Sequence, residues 1–393
     1  MLVHSTRIVT PDGVKDAVMK IEGGKIIEFL NSSEVDAIDL ELGNHTVLPG
    51  IIDTHNHGTM GYGLGGPCED IEKEVRGYLK GLASQGVTSC LPTASVEFFP
   101  TIAKVMKTEV DGAMPIGIHS EGPYLSRVGE KGINTGYPDI DMEFVKKMVD
   151  DAEGQLKLVA IAPEIPGAKE AIEYFTSHGV RCAYAHSDMN YHEALDAFKW
   201  GITVTTHTAN VMSGIHHRRM GGLGACLLSD EVYNELICDG LHVSNEMIEL
   251  MLRVKNDHLN KVMMVSDSAT AAGAPVGTYR MFGFDVHIDE RGFCLTDTGR
   301  LMGSTVPVIR GIRNLHKNLN MELKDIVRMS SYNPAKVYGA ESKGSLEAGK
   351  DADFVVVDDD FRVLETYREG KCIYHHEKDT DLYNWTFLEK CKA

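Results

Sequence analysis

The stretch of chain that says most about the fold is residues 48–58, which read LPGIIDTHNHG. An apolar run over 47–54 predicts a buried β-strand with polar residues at its end. Residues two apart in an extended strand point to the same side, so His55 and His57 can face one point while Asn56 faces elsewhere. Two imidazoles so placed can bind one metal ion, and this strand end is therefore a candidate metal site.

Seven further short apolar runs follow, separated by longer amphipathic segments, over a region that spans 48–343. This alternation is typical of repeated βα units with a parallel sheet, and eight strands indicate closure into a (β/α)8 TIM barrel. A hairpin insertion is predicted at about 279–296. The seven further predicted strands are 87–91, 114–118, 156–161, 181–185, 202–206, 233–238 and 261–266, and predicted helices include 71–84, 168–177, 192–199 and 245–255.

The two ends of the chain have a different pattern. Residues 1–47 read as short strands broken by turns, one of them Pro-Asp-Gly at 11–13. Strand-like sequence returns after residue 344, at 352–357 and at 366–374. We therefore expect 1–47 and 344–393 to pair in one small β-sandwich domain beside the barrel.

Composition limits the classes of protein to consider. A chain of 393 residues with 43% hydrophobic residues can form a large core, which excludes disordered and fibrous proteins. A formal net charge of -18 opposes binding to nucleic acids and anionic membranes. The eight cysteines form no CxxC pair, and we find neither a signal peptide pattern nor a membrane-spanning apolar run. We expect a soluble, cytoplasmic protein with reduced thiols.

Residues that can bind metal follow several predicted strands. Barrel enzymes carry their chemistry at the carboxyl ends of the strands, so these side chains should converge. Any one histidine among 17 is more often structural, but several at one barrel mouth favour a metal site. Glu121 could instead cap a helix, and Asp267 could be a turn residue. The candidates at strand ends are His55, His57, Glu121, His186, His207 and Asp267.

Several longer motifs carry a resemblance that covers nearly the whole chain. Besides 48–58 they are HSEGPYL at 119–125, HTANVM at 207–212, HHR at 216–218, DGLH at 239–242, VSD at 265–267, MGS at 302–304, NPA at 333–335 and GSLEAGKDAD at 344–353. With these motifs the chain resembles the amidohydrolase superfamily, in particular the N-acetylglucosamine-6-phosphate deacetylases. The resemblance implies a metal-dependent hydrolase barrel that removes acetate from an N-acetylhexosamine 6-phosphate in amino sugar catabolism.

The resemblance also implies a role for each matching residue. Glu121, His186 and His207 would hold the main metal ion, and Asp267 would act as general base and acid. In members with a second metal ion, the pair matching His55 and His57 holds it, and Glu121 bridges the two ions. The implied substrate contacts are the backbone of Asn210 and Val211 and the side chains of Arg218 and His242 at the phosphate, with Met302 in a loop beside the sugar.

The implied cofactor is a divalent metal, one or two ions per subunit. Zinc comes first, with iron, manganese or cobalt as alternatives. The implied partners are a phosphorylated amino sugar and a second copy of the chain, since the family habit is a homodimer in which the neighbouring subunit can complete the phosphate site.

One position departs from the family pattern. Where many of these deacetylases have a histidine that polarises the amide carbonyl, this chain has Asn134. A neutral amide can donate a hydrogen bond there but should stabilise an oxyanion less than a charged histidine. Asn134 is therefore predicted to bind the substrate, and the departure leaves the sugar or acyl group open.

Three alternatives remain at this point. The substrate could be the galacto rather than the gluco sugar. The chain could be another amidohydrolase, such as a cyclic-amide hydrolase or a nucleobase deaminase, although Ala-Pro-Glu at 162–164 stands where many cyclic-amide enzymes have a carboxylated lysine. It could also be a non-catalytic barrel scaffold, although such proteins usually lose metal ligands and none is missing here.

Overall fold

A computed structural model of the chain describes residues 1–66, 68–127, 138–281, 284–299, 301 and 303–390. Within these residues, parallel strands in two sheets occupy the middle of the chain. The first sheet contains Met114–Pro115, Val87–Pro92 and Ile51–Asn56, in that order. The second contains Ile118–Glu121, Leu156–Ile161, Arg181–Tyr184, Ile202–Thr205, Tyr233–Ile237 and Val262–Val265, in chain order.

Two isolated bridges connect the two parallel sheets. A parallel bridge joins Thr93 to His119, and another joins Asn56 to Ser268. The strands therefore form one curled parallel sheet, and the carboxyl ends of its strands lie at a common rim. Apolar side chains fill its interior, including Leu91, Leu158 and Met263.

Helices follow most of the parallel strands and cover the outside of the curled sheet. Their starts have the expected capping residues: Asn190, for example, accepts hydrogen bonds from the backbone N–H groups of His192 and Glu193. The α-helices in the described part of the chain are Ile71–Ala83, Phe99–Val105, Met142–Asp151, Ala168–Ser177, Tyr191–Phe198, Gly222–Leu228, Asn245–Val254, Val308–Asn318, Leu323–Val327 and Asn333–Val337. No helix of this set is long and apolar enough to cross a membrane.

Both ends of the chain contribute strands to a separate eight-stranded sheet. Its apolar face has a core of its own, which includes Met19, Val47 and Phe354. The strands, in spatial order, are Lys371–His375, Val363–Arg368, Phe354–Val357, Thr46–Pro49, Leu2–Thr10, Gly13–Glu22 and Lys25–Leu30, with Leu40–Glu41 paired to Leu2–Thr10.

The predicted strand over 47–54 is two strands in the structure. Thr46–Pro49 belongs to the eight-stranded sheet and Ile51–Asn56 to the curled sheet, so the chain changes sheets at Gly50. A Cβ at Gly50 would lie 2.2 Å from Oγ1 of Thr88, so only glycine allows this close approach. The sequence does not show this change of sheet, because both strands are buried and the apolar run continues through it.

Two other predicted strands are also divided. The predicted strand 114–118 ends at Pro115, which has no N–H group to continue the pairing, and a new strand begins at Ile118. The predicted strand 366–374 is a hairpin that turns at Glu369 and Gly370, both with positive φ, as a tight two-residue turn requires.

The region predicted as a hairpin contains three antiparallel strands, Gly277–Met281, Phe284–Ile288 and Cys294–Thr296. Near the end of the chain, Glu389–Lys390 adds a fourth strand by pairing with Gly277–Met281. This small sheet follows the last parallel strand and has its own cluster of buried side chains around Tyr279.

Candidate metal centre

The carboxyl ends of the parallel strands bring six predicted residues together. Glu121 is the last residue of its strand and His55 lies one residue before the end of its own. The other four follow a strand end by one or two residues. Their donor atoms form two groups that share one residue. The first group is Glu121, His186 and His207, and the second is His55, His57, Glu121 and Asp267.

In the first group the three donor atoms form a nearly equilateral triangle. Oε1 of Glu121 lies 3.1 Å from Nε2 of His186 and 3.0 Å from Nε2 of His207, and the two Nε2 atoms are 3.1 Å apart. Tetrahedral metal sites with ligand distances of about 2.0–2.2 Å separate neighbouring donors by roughly 3.4 Å. The triangle therefore fits a divalent ion with little adjustment.

The second group shares Glu121 with the first. Nε2 of His57 is 3.0 Å from Oε2 of Glu121 and 3.4 Å from Oδ1 of Asp267. Nε2 of His55 is 3.6 Å from Glu121 and 3.5 Å from Asp267, and it has no hydrogen-bond partner among the residues that the structure describes. A fully buried nitrogen without a partner is costly, and a metal ion would satisfy it.

Three of these residues sit in an uncommon backbone conformation. His186, His207 and Asp267 have φ values of 46°, 28° and 49°. For residues other than glycine this left-handed region costs of order 1–3 kcal/mol and persists at functional sites where the surroundings enforce it. The turns aim each side chain into the rim of the curled sheet.

Opposite charges at the centre shift the pKa values of its histidine and aspartate side chains. Burial alone would lower the pKa of His57, but Asp267 and Glu121 outweigh it and raise that pKa to about 9. Burial would raise the pKa of Asp267, yet His55 and His57 hold it below its usual range. These buried carboxylates thus need positive charge beside them, which imidazolium groups or a divalent cation can supply.

Two histidine rings are oriented by partners on the side away from the centre. His55 Nδ1 lies 3.1 Å from Oε2 of the fully buried Glu235, and His186 Nδ1 lies 2.8 Å from the backbone oxygen of Arg127. When Nδ1 carries the proton, Nε2 is free to bind metal. Glu235 is not among the predicted site residues, although a carboxylate inside the buried strand Tyr233–Ile237 was a usable signal.

The predicted phosphate contacts lie on loops after two neighbouring strands. Arg218 is exposed at the turn of a hairpin formed by Ile215–His216 and Arg219–Met220. His242 is mostly buried, and its Nδ1 lies 2.7 Å from Oδ2 of Asp239. Asn210 donates a side-chain hydrogen bond to the backbone oxygen of His207.

Three further residues were predicted to contact the substrate. Val211 is partly buried and has a φ of 51°, so it lies on a sharp turn. Met302 and Asn134 lie outside the described residues.

A cavity of about 520 Å³ opens beside the second group of metal-binding residues. Its walls include His57, Glu121, Ala94, Phe144 and Thr270. The centre is therefore reachable by a molecule larger than water.

Comparison with known proteins agrees with this geometry. Residues 46–373 match the family model described as the amidohydrolase family. The chain belongs to the amidohydrolase family. Within it, the chain is 32% identical to N-acetylglucosamine-6-phosphate deacetylase from Vibrio furnissii, over 92% of this chain and 91% of the relative. This amidohydrolase thus belongs to the N-acetylglucosamine-6-phosphate deacetylase family and is an enzyme.

Solved structures extend the comparison to the fold. The crystal structure of N-acetylglucosamine-6-phosphate deacetylase from Pasteurella multocida matches this amidohydrolase with a TM-score of 0.82 at 30% identity, covering 95% of this chain and 99% of that one. A Mycobacterium smegmatis deacetylase in complex with N-acetyl-D-glucosamine-6-phosphate also gives a TM-score of 0.82, at 27% identity, covering 95% of each chain or more. The fold is TIM-barrel-like.

Proposed function

We propose that this chain is a metal-dependent deacetylase that hydrolyses the acetamide of N-acetylglucosamine-6-phosphate to the amino sugar phosphate and acetate. The observation that carries the proposal is the convergence of the Glu121, His186 and His207 triangle with Asp267 at one rim. This set combines metal ligands with a carboxylate that can move a proton. The deacetylases to which the chain is related supply the substrate.

Each residue of the centre has a part in the proposed reaction. Glu121, His186 and His207 would hold a divalent ion, whose Lewis acidity makes both water and an amide carbonyl more reactive. Asp267 accepts a proton from the attacking water and later gives it to the departing nitrogen. One carboxyl group thus serves both halves of the hydrolysis, in a role that typically contributes roughly 10²–10⁴ in rate.

The finer architecture is part of the proposal. The bridges of Thr93 to His119 and of Asn56 to Ser268 support a closed (β/α)8 barrel over 48–343, with the insertion at about 279–296. The separate core of the eight-stranded sheet supports a small β-sandwich domain made from 1–47 and 344–393.

Zinc is the proposed metal, since its usual donors are histidine nitrogen and carboxylate oxygen. The second group, around His55 and His57, would hold a second ion bridged by Glu121. We further propose that the enzyme is a cytoplasmic homodimer whose partners are small molecules rather than nucleic acids or membranes, as its net charge of -18 favours.

Metal dependence tests this function directly. After dialysis against a strong chelator, the protein should release no acetate from N-acetylglucosamine-6-phosphate, and one to two equivalents of Zn²⁺ should restore the release. Acetate and free amine should appear in equal amounts. Full activity in protein shown by elemental analysis to lack metal would refute the proposal.

We expect Arg218→Ala to weaken binding of the phosphorylated substrate. Arg218 offers a planar guanidinium that suits a phosphate, and losing one such charged hydrogen bond costs about 1.5–3 kcal/mol. KM for the 6-phosphate should rise accordingly, while an unphosphorylated analogue should hardly be affected. Arg219→Ala, in the same exposed hairpin, is the matched control. Equal losses on both substrates would argue against a phosphate contact.

One alternative sugar has a specific observation behind it. N-acetylgalactosamine-6-phosphate deacetylase from Escherichia coli O157:H7 is 29% identical to this chain, over 94% of the chain and 98% of the relative. The two sugars differ only in the configuration of one hydroxyl group, so the same metal centre serves either. A higher kcat/KM for the galacto 6-phosphate than for the gluco 6-phosphate would select this alternative.

A further inference from the structure

Glu164 lies just beyond the strand Leu156–Ile161 and belongs to neither metal-binding group of the described residues. Its carboxylate connects two loops that carry metal-binding residues. Oε1 accepts a hydrogen bond from the backbone N–H of Asp188 at 2.8 Å and lies 2.6 Å from Oγ of Ser126. Oε2 accepts a hydrogen bond from Oγ of Ser187 at 2.7 Å.

We propose that Glu164 is a positioning residue that fixes the ring of His186 toward the metal by tying the loop after Glu121 to the loop after His186. Residues 126–127 follow Glu121, and 187–188 follow His186. This inference rests on the metal site of the proposed function, and it is independent of which substrate the enzyme hydrolyses.

The connection from Glu164 to the imidazole is short. The single hydroxyl hydrogen of Ser126 is shared between two acceptors, Oε1 of Glu164 and the backbone oxygen of His186, which lies 2.7 Å from Oγ. The next residue, Arg127, places its backbone oxygen 2.8 Å from Nδ1 of His186. A proton on Nδ1 then bonds to this oxygen, and the lone pair of Nε2 faces Glu121 and His207. Moving residues 126–127 would therefore rotate a metal ligand.

The backbone of His186 needs this support. Its φ of 46° lies in the left-handed region, which a histidine occupies only when the surroundings hold it there. Glu164 accepts hydrogen bonds from the two residues that follow His186. An ion pair of 2.7 Å between Arg127 and Asp188 is a second link between the same two loops. Since the side chain of Asp188 is mostly exposed, we expect this ion pair to contribute little by itself.

A carboxylate suits this position better than its amide. Both oxygens of Glu164 face donor groups, whereas glutamine has one acceptor oxygen and an NH2 group that can only donate. These hydrogen bonds also argue against Glu164 as a metal ligand, because its oxygens already accept from Ser126, Ser187 and Asp188.

The test measures the Zn²⁺ affinity of wild type, Glu164→Ala and Glu164→Gln. Each protein competes with a chromophoric chelator for the Zn²⁺. Loss of support for a metal ligand typically costs 10–100-fold in affinity, and we expect that loss for alanine and a smaller one for glutamine. The visible absorption of the Co²⁺-loaded proteins should shift in the same order, because it reports ligand geometry. Glu173→Ala, on the exposed face of Ala168–Ser177, is the control and should match wild type.

Thermal unfolding of the metal-free proteins separates positioning from simple stability. A positioning role predicts melting temperatures close to wild type without metal but a smaller gain on adding Zn²⁺. Wild-type affinity and an unchanged cobalt spectrum in Glu164→Ala would overturn the inference, and so would a loss of stability confined to the metal-free protein. If the alanine variant does not fold, Glu164→Gln and Ser187→Ala decide by the same criteria.

These measurements use no substrate, so they do not depend on the proposed reaction. A wild-type protein that binds Zn²⁺ but releases no acetate would contradict the proposed function and leave this inference standing. Normal deacetylation with unchanged metal binding in Glu164→Ala would contradict this inference and leave the proposed function standing.

Discussion

Replacing Asp267 with asparagine should leave the metal in place and lower kcat by about 10²–10⁴. Oδ1 of Asp267 lies 3.4–3.5 Å from the Nε2 atoms of His55 and His57, in the group that shares Glu121 with His186 and His207. Asparagine has nearly the same shape and keeps one oxygen there, but it cannot accept the proton of the attacking water. Turnover should therefore fall far more than KM changes.

The measurement pairs steady-state kinetics with elemental analysis of the same preparations. Asp297→Asn, an exposed aspartate that pairs with His287, should behave as wild type in both. A near-normal kcat in Asp267→Asn would place the general base on another residue. Loss of metal from this variant would instead make Asp267 chiefly a ligand.

The Glu121→Ala protein should lose metal and activity together. Glu121 is the one described residue that belongs to both groups: its Oε1 lies nearest His186 and His207, and its Oε2 lies nearest His57. Removing it leaves His186 and His207 without their shared carboxylate and leaves His57 with Asp267 alone. We expect less than about a tenth of the wild-type metal content after gel filtration, since losing a group that merely supports a metal ligand already costs about 10–100-fold in affinity and Glu121 would be a ligand itself.

Glu97→Ala is a matched control for this change, because Glu97 lines the same cavity but is exposed. It should keep its metal. Full metal content in Glu121→Ala would show that the ion, if one binds, is held elsewhere, and the account of the centre would fail.

Much of the parallel sheet could be predicted because its strands are short, apolar and regularly spaced. Strand Leu156–Ile161 and helix Ala168–Ser177 have the predicted bounds, and other elements differ by a residue or two at their ends. The main failures, at Gly50 and at Glu369 with Gly370, occur where buried sequence continues through a change of direction. Apolar periodicity records burial and does not record which sheet a residue joins.

The convergence of the candidate metal ligands was predictable for a related reason. His55, Glu121, His186 and Asp267 each stand at or just past a strand end, so chain position alone brings them to one rim. Their supporting partners were missed because Glu235 and Glu164 act through contacts with residues distant in sequence. The roles assigned to the site residues from the sequence, those of Asn134 and Met302 included, stay predictions.

The most direct test of the central claim is acetate release from N-acetylglucosamine-6-phosphate compared with unphosphorylated N-acetylglucosamine, using Zn²⁺-loaded enzyme. The account predicts kcat/KM at least about tenfold higher for the 6-phosphate, the factor that corresponds to ~1.4 kcal/mol of phosphate binding energy. It also predicts that chelation abolishes both reactions. The absence of acetate release from both sugars would contradict it, and so would acetate release that persists without metal.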